Sequence, residues 1–542
     1  MNEFETPGAT PEVSADPAPQ PQPEVSYSQP QTGYTQPVYT EPEKPKKGFP
    51  KVLLIVLAVL AVGAVAFFGI RAAAASKPLN KTALGIQKAA EAFGKNDMAA
   101  LALNAQENGS VSVTVDLSKI GSQIMYGMGN LPVKVSITGY TSAKSQKGAL
   151  EFDAQIKGKS VVNGTVTASE DQIAASCEAI LGKTGYSLDI KNIAKNLPKS
   201  FLDPDSDSQY AFLPDEVYDW LVSQKNGPIA PAKELAEDAQ SLVKEAAKLL
   251  LRSLEKNASI SKANETVSIG DKDIKTTAVT VSLNGKQAAA VATDLLKWAK
   301  NSKDLKSLIT KFADSYGPLL EDSGFDPDDI LDEFNDAIDD AIDECADMEE
   351  EDLDLTCLFY VNNSNGQLVK AEITNKDDYS GKTVYTLEGG PDWKNPTYIS
   401  VSTKDRYSKE SYTFTVEENT KSQFTGKLKI KEDGSTTGTI TFSWDKSAGD
   451  LRISSSELDF KLTGTMTQKG KVTTITLKKL EYGYITIKDL GTTIEINESA
   501  KLPTISKTTE ILSLDEDALT DVIEDIREAI EDLRDTIEDA MD

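Results

Sequence analysis

Alternation of apolar and polar residues dominates two long parts of this chain. It begins at Val111–Leu117, where every second residue is apolar, and from Leu355 to Ile496 it is almost unbroken. Successive side chains of a strand point to opposite faces, so the alternation predicts strands with one apolar and one polar face. Gly, Asn or Asp residues recur between these segments at short intervals. Such tight turns predict that neighbouring strands form an antiparallel meander.

Helical spacing of apolar residues marks the segments between and beside the strands. It predicts helices over residues 78–95, 232–256 and 287–313, and two acidic amphipathic helices within residues 321–354 and 510–542. We therefore expect an α+β fold, in which antiparallel β-meander sheets form a curled sheet or half-barrel covered by amphipathic helices. Either a second sheet closes over the apolar face and gives a filled core, or the concavity stays partly open and takes a ligand. Four bulky residues are the candidates for that apolar ligand face: Phe414, Phe442, Trp444 and Phe460.

The N-terminal part of the chain has a different pattern. Nineteen consecutive residues, Val52 to Ile70, are apolar apart from two glycines, and four lysines precede them within eight residues. This pattern predicts one transmembrane helix with the N-terminus cytoplasmic and the C-terminus extracellular, a single-pass protein of the cell membrane. The alternative is a cleaved signal peptide, because Ala72–Ala75 before Ser76 resembles a cleavage site. The preceding residues are rich in Pro, Gln and Tyr and predict a disordered tail.

These patterns divide the chain into five parts. We expect a disordered Pro/Gln/Tyr-rich cytoplasmic tail, a transmembrane helix, a stalk, an extracellular α+β domain with a helical middle, and an extracellular β-rich domain with acidic helices at both ends. In order, their residues are 1–51, 52–70, 71–100, 101–320 and 321–542.

Composition argues against catalysis. The chain has no histidine, which removes the commonest general base and zinc ligand. Ser253-Leu-Glu-Lys256 and Lys183-Thr-Gly185 match pieces of a penicillin-binding site, but they occur in the wrong order. We therefore expect no catalytic, cofactor-binding or metal-binding residues. The formal net charge of −28, concentrated in the two acidic stretches, argues against a nucleic-acid partner.

The chain has three cysteines, and only Cys345 and Cys357 are close in sequence. An extracellular location would permit a disulfide between these two residues. The alternative is that the three cysteines are buried free thiols.

Three passages carry a resemblance to a known family: residues 193–204 (IAKNLPKSFLDP), residues 270–285 (GDKDIKTTAVTVSLNG) and residues 501–505 (KLPTI). In them the chain resembles single-pass, membrane-anchored extracellular proteins of Gram-positive, clostridia-like bacteria that carry a domain of unknown function. The resemblance implies a bacterial envelope protein and assigns no functional residue. The predicted layout is also similar to that of bacterial lipoprotein carriers, in which a half-barrel holds acyl chains.

We expect a membrane-anchored cell-envelope binding or structural module. Its partners would be the lipid bilayer through the anchor and a lipid, peptide or glycan ligand or another envelope protein. The alternatives are a transmembrane sensor with an extracellular ligand-binding domain and a carboxylate-dependent hydrolase.

Overall fold

The computed structural model describes residues 77–124, 132–204, 213–225, 227–319, 329–377 and 381–541. Within these residues, 21 strands form one sheet. The strands are β1 (Ser110–Asp116), β2 (Val133–Ser142), β3 (Lys147–Ile156), β4 (Lys159–Ala168), β5 (Gln172–Cys177), β6 (Gly185–Asp189), β7 (Ser259–Ile269), β8 (Lys272–Asn284), β9 (Asp354–Asn362), β10 (Leu368–Asp377), β11 (Gly381–Gly389), β12 (Tyr398–Lys404), β13 (Lys409–Asn419), β14 (Gln423–Glu432), β15 (Ser435–Asp445), β16 (Asp450–Ser455), β17 (Phe460–Lys469), β18 (Val472–Tyr482), β19 (Ile485–Ile487), β20 (Thr492–Asn497) and β21 (Thr508–Glu510).

Helices occupy the segments between and beside these strands. They are α1 (Pro78–Gly94), α2 (Asp97–Asn108), α3 (Leu117–Ile124), α4 (Glu178–Leu181), α5 (Ile193–Asn196), α6 (Asp215–Ser223), α7 (Ile229–Asn257), α8 (Gly285–Asn301), α9 (Lys303–Tyr316), α10 (Ile330–Ala346) and α11 (Glu516–Met541). The long helix α7 confirms the helix predicted over residues 232–256. The helix predicted over 287–313 is two helices, because the Ser302 side chain accepts a hydrogen bond from the Leu305 amide and starts α9.

Two meanders make up the sheet, and one strand joins them. Strands β1 to β6 follow one another as neighbours, as do β7 to β18. Strand β20 lies between β18 and β1 and pairs antiparallel with both. The short β21 pairs parallel with β6, and the other described pairings are antiparallel. Because β20 pairs on both edges, the two meanders form one continuous surface.

The best-buried part of the molecule lies at the β7–β10 end of the sheet. Helices α1 and α8 contribute Leu79 and Ala288 to one apolar cluster with Val279 and Phe359 of strands β8 and β9. Helix α1, which the sequence predicts as a stalk, therefore packs on the sheet. A second cluster, which includes Ile274 and Tyr360, lies on the opposite face of these strands.

Helices contact the remaining strands unevenly. Helices α2 and α3 contact β2, and α11 contacts α4, β3 and β4, whereas α10 packs on α8 and α9. In the described part of the chain, strands β11–β18 contact mainly their neighbouring strands. The acidic helices therefore leave the middle of the sheet uncovered.

These observations correct the predicted fold class. The expectation of antiparallel β-meander sheets that form a curled sheet or half-barrel covered by amphipathic helices is wrong, because the described strands form one 21-stranded sheet in which β11–β18 contact mainly their neighbouring strands. The predicted transmembrane helix and the membrane assignment also lack support. Apart from the gaps named above, the helices of residues 77–541 do not reach the length and apolarity that a membrane crossing requires. Residues 52–70 and the tail before them lie outside the described residues.

Candidate functional site: an uncovered apolar face

One face of the sheet is apolar from strand to strand. We define the apolar face as the side that carries Val279 and Phe359, and the strand register shows which residues share it. Directly opposed residues on seven strands from β8 to β14 form one apolar row: Val279, Phe359, Ala371, Leu387, Val401, Tyr412 and Ile430. Opposed residues in an antiparallel pair point to the same side of the sheet, so this row is continuous.

The apolar face continues through both junctions of the sheet. A second row crosses strands β15 to β18 at Phe442, Ile453, Leu462 and Leu480. A third row crosses from β18 through the joining strand β20 into the first meander: Ile475, Ile494, Val113, Ile137 and Phe152. From β12 to β2 there are nine strand spacings, and at about 4.8 Å each they give a length of roughly 43 Å.

Two stretches of this face are open to solvent. Leu387, Val401 and Tyr412 in β11–β13 are between 38 and 49 % exposed. Val113 and Ile137 in β1 and β2 are 40 and 49 % exposed. Isolated exposed apolar residues are ordinary on protein surfaces, but contiguous ones mark interaction sites.

The structure places all four predicted aromatic residues on the apolar face, where each is half-buried. Phe414 and Phe442 make a T-shaped ring contact with centroids 6.3 Å apart. The Trp444 indole Nε1–H donates a 2.9 Å hydrogen bond to the Met466 carbonyl oxygen, which ties the ring on β15 to strand β17. Phe460 is paired in register with Tyr482. The aromatic rings therefore pack along the face and leave few polar groups on it.

Sequence reasoning missed the open residues beside these rings. Leu387, Val401 and Tyr385 stand in segments with period-two alternation, which is the signal that could have identified them. The alternation shows on which face of its strand a residue lies, but it does not show whether a helix covers that face.

Two polar clusters elsewhere in the described residues consist of ion pairs and hydrogen bonds within the fold. On the opposite face, the Lys370 ammonium lies 3.2 Å from Glu372 Oε1 and 3.0 Å from Glu388 Oε1. Burial by itself lowers the pKa of Lys370, but the hydrogen bonds and charges of Glu388 and Glu372 together outweigh it and the net shift is upward. Burial also raises the pKa of the neighbouring Tyr360, with a further contribution from Glu372. Lys370 therefore stays protonated and forms ion pairs with both carboxylates.

Ser253, the serine of the Ser253–Lys256 match to a penicillin-binding site, also has a structural role. Ser253 is 2 % exposed, and its hydroxyl donates a 2.6 Å hydrogen bond to Asp294 Oδ2, which ties α7 to α8. This hydrogen bond is the first cause of the lowered pKa of Asp294. A buried, bonded hydroxyl cannot reach a substrate. In the described part of the chain, no group of three or more Cys, Asp or Glu residues is arranged to hold a metal ion.

Cys345 and Cys357, the pair for which the sequence allows a disulfide, are both free and buried in the structure. Cys345 packs with Ala289 and Ala292 between α8 and α10. Cys357 lies in the cluster beneath α1, and burial raises the pKa of its thiol to about 11. The two thiols belong to different apolar clusters, which separate them despite their closeness in sequence.

Comparison with known proteins adds no assignment: no protein-family model matches the chain, and no curated protein matches it.

Proposed function

We propose that the protein is a non-catalytic binding module whose apolar face holds the acyl chains of a lipid. The observation that carries this proposal is the unbroken apolar face, with open residues such as Val401 and Ile137 at 49 % exposure. Apolar surface of this extent in contact with water is unfavourable, and an acyl chain lying on it removes that contact.

The chemistry of the apolar face favours an acyl chain over a peptide or a glycan. Strands β8–β18 are hydrogen-bonded to a neighbour on both edges, so their backbone groups are occupied. A peptide or glycan laid on this face would lose hydrogen bonds to water without replacing them, at a cost of about 1–3 kcal/mol for each buried group. An acyl chain has no such groups to satisfy.

A second copy of the chain is a less suitable occupant. Its apolar face could stack on the first in a sandwich, but each copy carries a formal net charge of −28. Like charge of this size opposes self-association. An uncharged acyl chain does not meet that repulsion.

Binding of a fluorescent long-chain fatty acid to the full chain tests the proposal. Two adjacent residues of β12 supply the matched variants, because Val401 lies on the apolar face and Ser402 on the opposite face. We expect saturable binding by the wild type, at least tenfold weaker binding by Val401→Asp, and unchanged binding by Ser402→Asp. Circular dichroism verifies that both variants are folded.

Two results would overturn the proposal. One is the absence of saturable binding by the wild type. The other is a wild-type dimer, seen by light scattering, that Val401→Asp dissociates, because the apolar face would then be a contact between copies.

A further inference from the structure

Two neighbouring turns at the end of strands β16–β19 form an apolar tip. We define the tip as Leu458, Tyr482, Tyr484 and Ile485. Leu458 lies in the turn between β16 and β17, and the others lie in the hairpin between β18 and β19. The Gly483 amide donates a 3.0 Å hydrogen bond to the Asp459 carbonyl oxygen, which holds the two turns side by side.

Among the described residues, the tip is the most exposed group of large apolar side chains beside the apolar face. Leu458, Tyr482 and Ile485 are between 52 and 59 % exposed, and Tyr484 is fully exposed. Turns are usually polar, so this composition departs from the expected pattern. Aliphatic side chains mixed with tyrosine are typical of segments that enter the interface of a lipid layer, where the ring sits at headgroup level.

The size of the tip favours a lipid surface over a protein partner. Four side chains of this kind present on the order of 500 Å². A specific protein interface buries about 800 Å² on each partner. A protruding tip also needs a matching pocket in a protein, whereas a lipid layer deforms around it.

The apolar tip is continuous with the apolar face. Tyr482 is paired in register with Phe460 on β17 and with Ile485 on β19. The next positions on the same side of these strands are Leu462 and Leu480, which belong to the apolar face. An acyl chain that enters at the tip therefore meets apolar side chains without crossing polar surface.

We propose that the apolar tip inserts into a phospholipid surface and passes acyl chains from it to the apolar face. This inference rests on the proposed function, because transfer requires a face that holds the chain. It adds the source of the ligand, a phospholipid layer, and the place where the ligand enters.

Transfer of a fluorescent fatty acid from phosphatidylcholine vesicles to the full chain tests the inference. The double variant Tyr484→Ser/Ile485→Ser removes two tip side chains at a hairpin. Tyr407→Ser is the matched control, because Tyr407 is 75 % exposed in the turn between β12 and β13. We expect the double variant to transfer probe at least tenfold more slowly, while its affinity for the dissolved probe stays within twofold of wild type. The control should match the wild type in both measurements.

Flotation with probe-free vesicles separates the failure of this inference from the failure of the proposed function. If the wild-type protein floats with the vesicles and the double variant does not, the result supports insertion of the tip, even if neither protein binds the probe. If the probe binds but transfer and flotation are the same in the double variant and the wild type, the tip is not the entry point and the inference is overturned.

Discussion

The ring of Phe414 in β13 lies edge-on to the ring of Phe442 in β15, with the two planes inclined by 69°. Strand β14 lies between them, and its residue opposite Phe442 is Gly426. A Cβ atom at Gly426 would lie 2.9 Å from the Phe414 ring. The aromatic contact therefore depends on the absence of a side chain at Gly426, as in the pairing of aromatic residues with sheet glycines.

Replacement of Gly426 by valine should displace the Phe414 ring and lower the free energy of unfolding by about 1–3 kcal/mol, the usual cost of overpacking. Urea unfolding followed by circular dichroism measures the change. Gly139→Val is the matched control, because Gly139 lies on the same face in β2 and a Cβ atom there would meet nothing within 4 Å. If Gly139→Val lowers the free energy of unfolding as much as Gly426→Val does, the packing argument is contradicted.

Gly285→Ala should be more destabilising than Gly426→Val. Gly285 is the first residue of α8, and a Cβ atom there would overlap the Glu349 carbonyl oxygen. The obstacle is backbone, which cannot rotate away, so helix α8 would have to move. We expect a loss of at least about 3 kcal/mol in the free energy of unfolding, measured in urea. If the free energy of unfolding of Gly285→Ala stays within about 1 kcal/mol of wild type, the close approach of Gly285 to the Glu349 backbone is wrong.

Tyr140 should make stability fall at high pH. Burial and a hydrogen bond to Glu151 raise the pKa of its phenol to about 12, from an ordinary value near 10. A raised folded-state pKa contributes stability that is fully present below pH 10 and is lost as the pH rises towards 12, because the unfolded phenol ionises first.

Tyr140→Phe should therefore lose less stability than wild type between pH 9 and pH 11.5, by about 1 kcal/mol once partial solvent exposure is considered. Urea midpoints at the two pH values measure the difference. Tyr407→Phe, at an exposed turn, should behave as wild type does. Equal losses in wild type and Tyr140→Phe would mean that burial and the bond to Glu151 do not raise the pKa of Tyr140.

The three cysteines should be unreactive thiols in the folded protein. Each is buried, and burial raises the pKa of the Cys357 thiol to about 11, so little thiolate is present at neutral pH. We expect no fast reaction with a thiol reagent at pH 7.5, and three reactive thiols per chain in 8 M urea without a reductant. One reactive thiol in urea would instead reveal the Cys345–Cys357 disulfide that the sequence allows.

The sequence by itself determined the local elements and the polarity of each strand face. Alternation at Val111–Leu117 predicts β1, and helical spacing over residues 232–256 predicts α7; the structure confirms both elements. The same alternation places Phe414, Phe442, Trp444 and Phe460 on apolar sides of their strands. These features depend on periods of 2 and 3.6 residues, which are visible in any short window of sequence.

Only the tertiary structure decided which strands meet and which faces stay open. Ile494 of β20 lies between Ile475 and Val113, partners 19 and 381 residues away in the sequence. Segments with period-two alternation are nearly interchangeable as strand partners, because the backbone hydrogen bonds are the same for every residue. The packing of the whole chain therefore decides which distant strands pair. The open positions of Val401 and Ile137 likewise follow from where the helices lie, since period-two alternation is the same under a helix and under water.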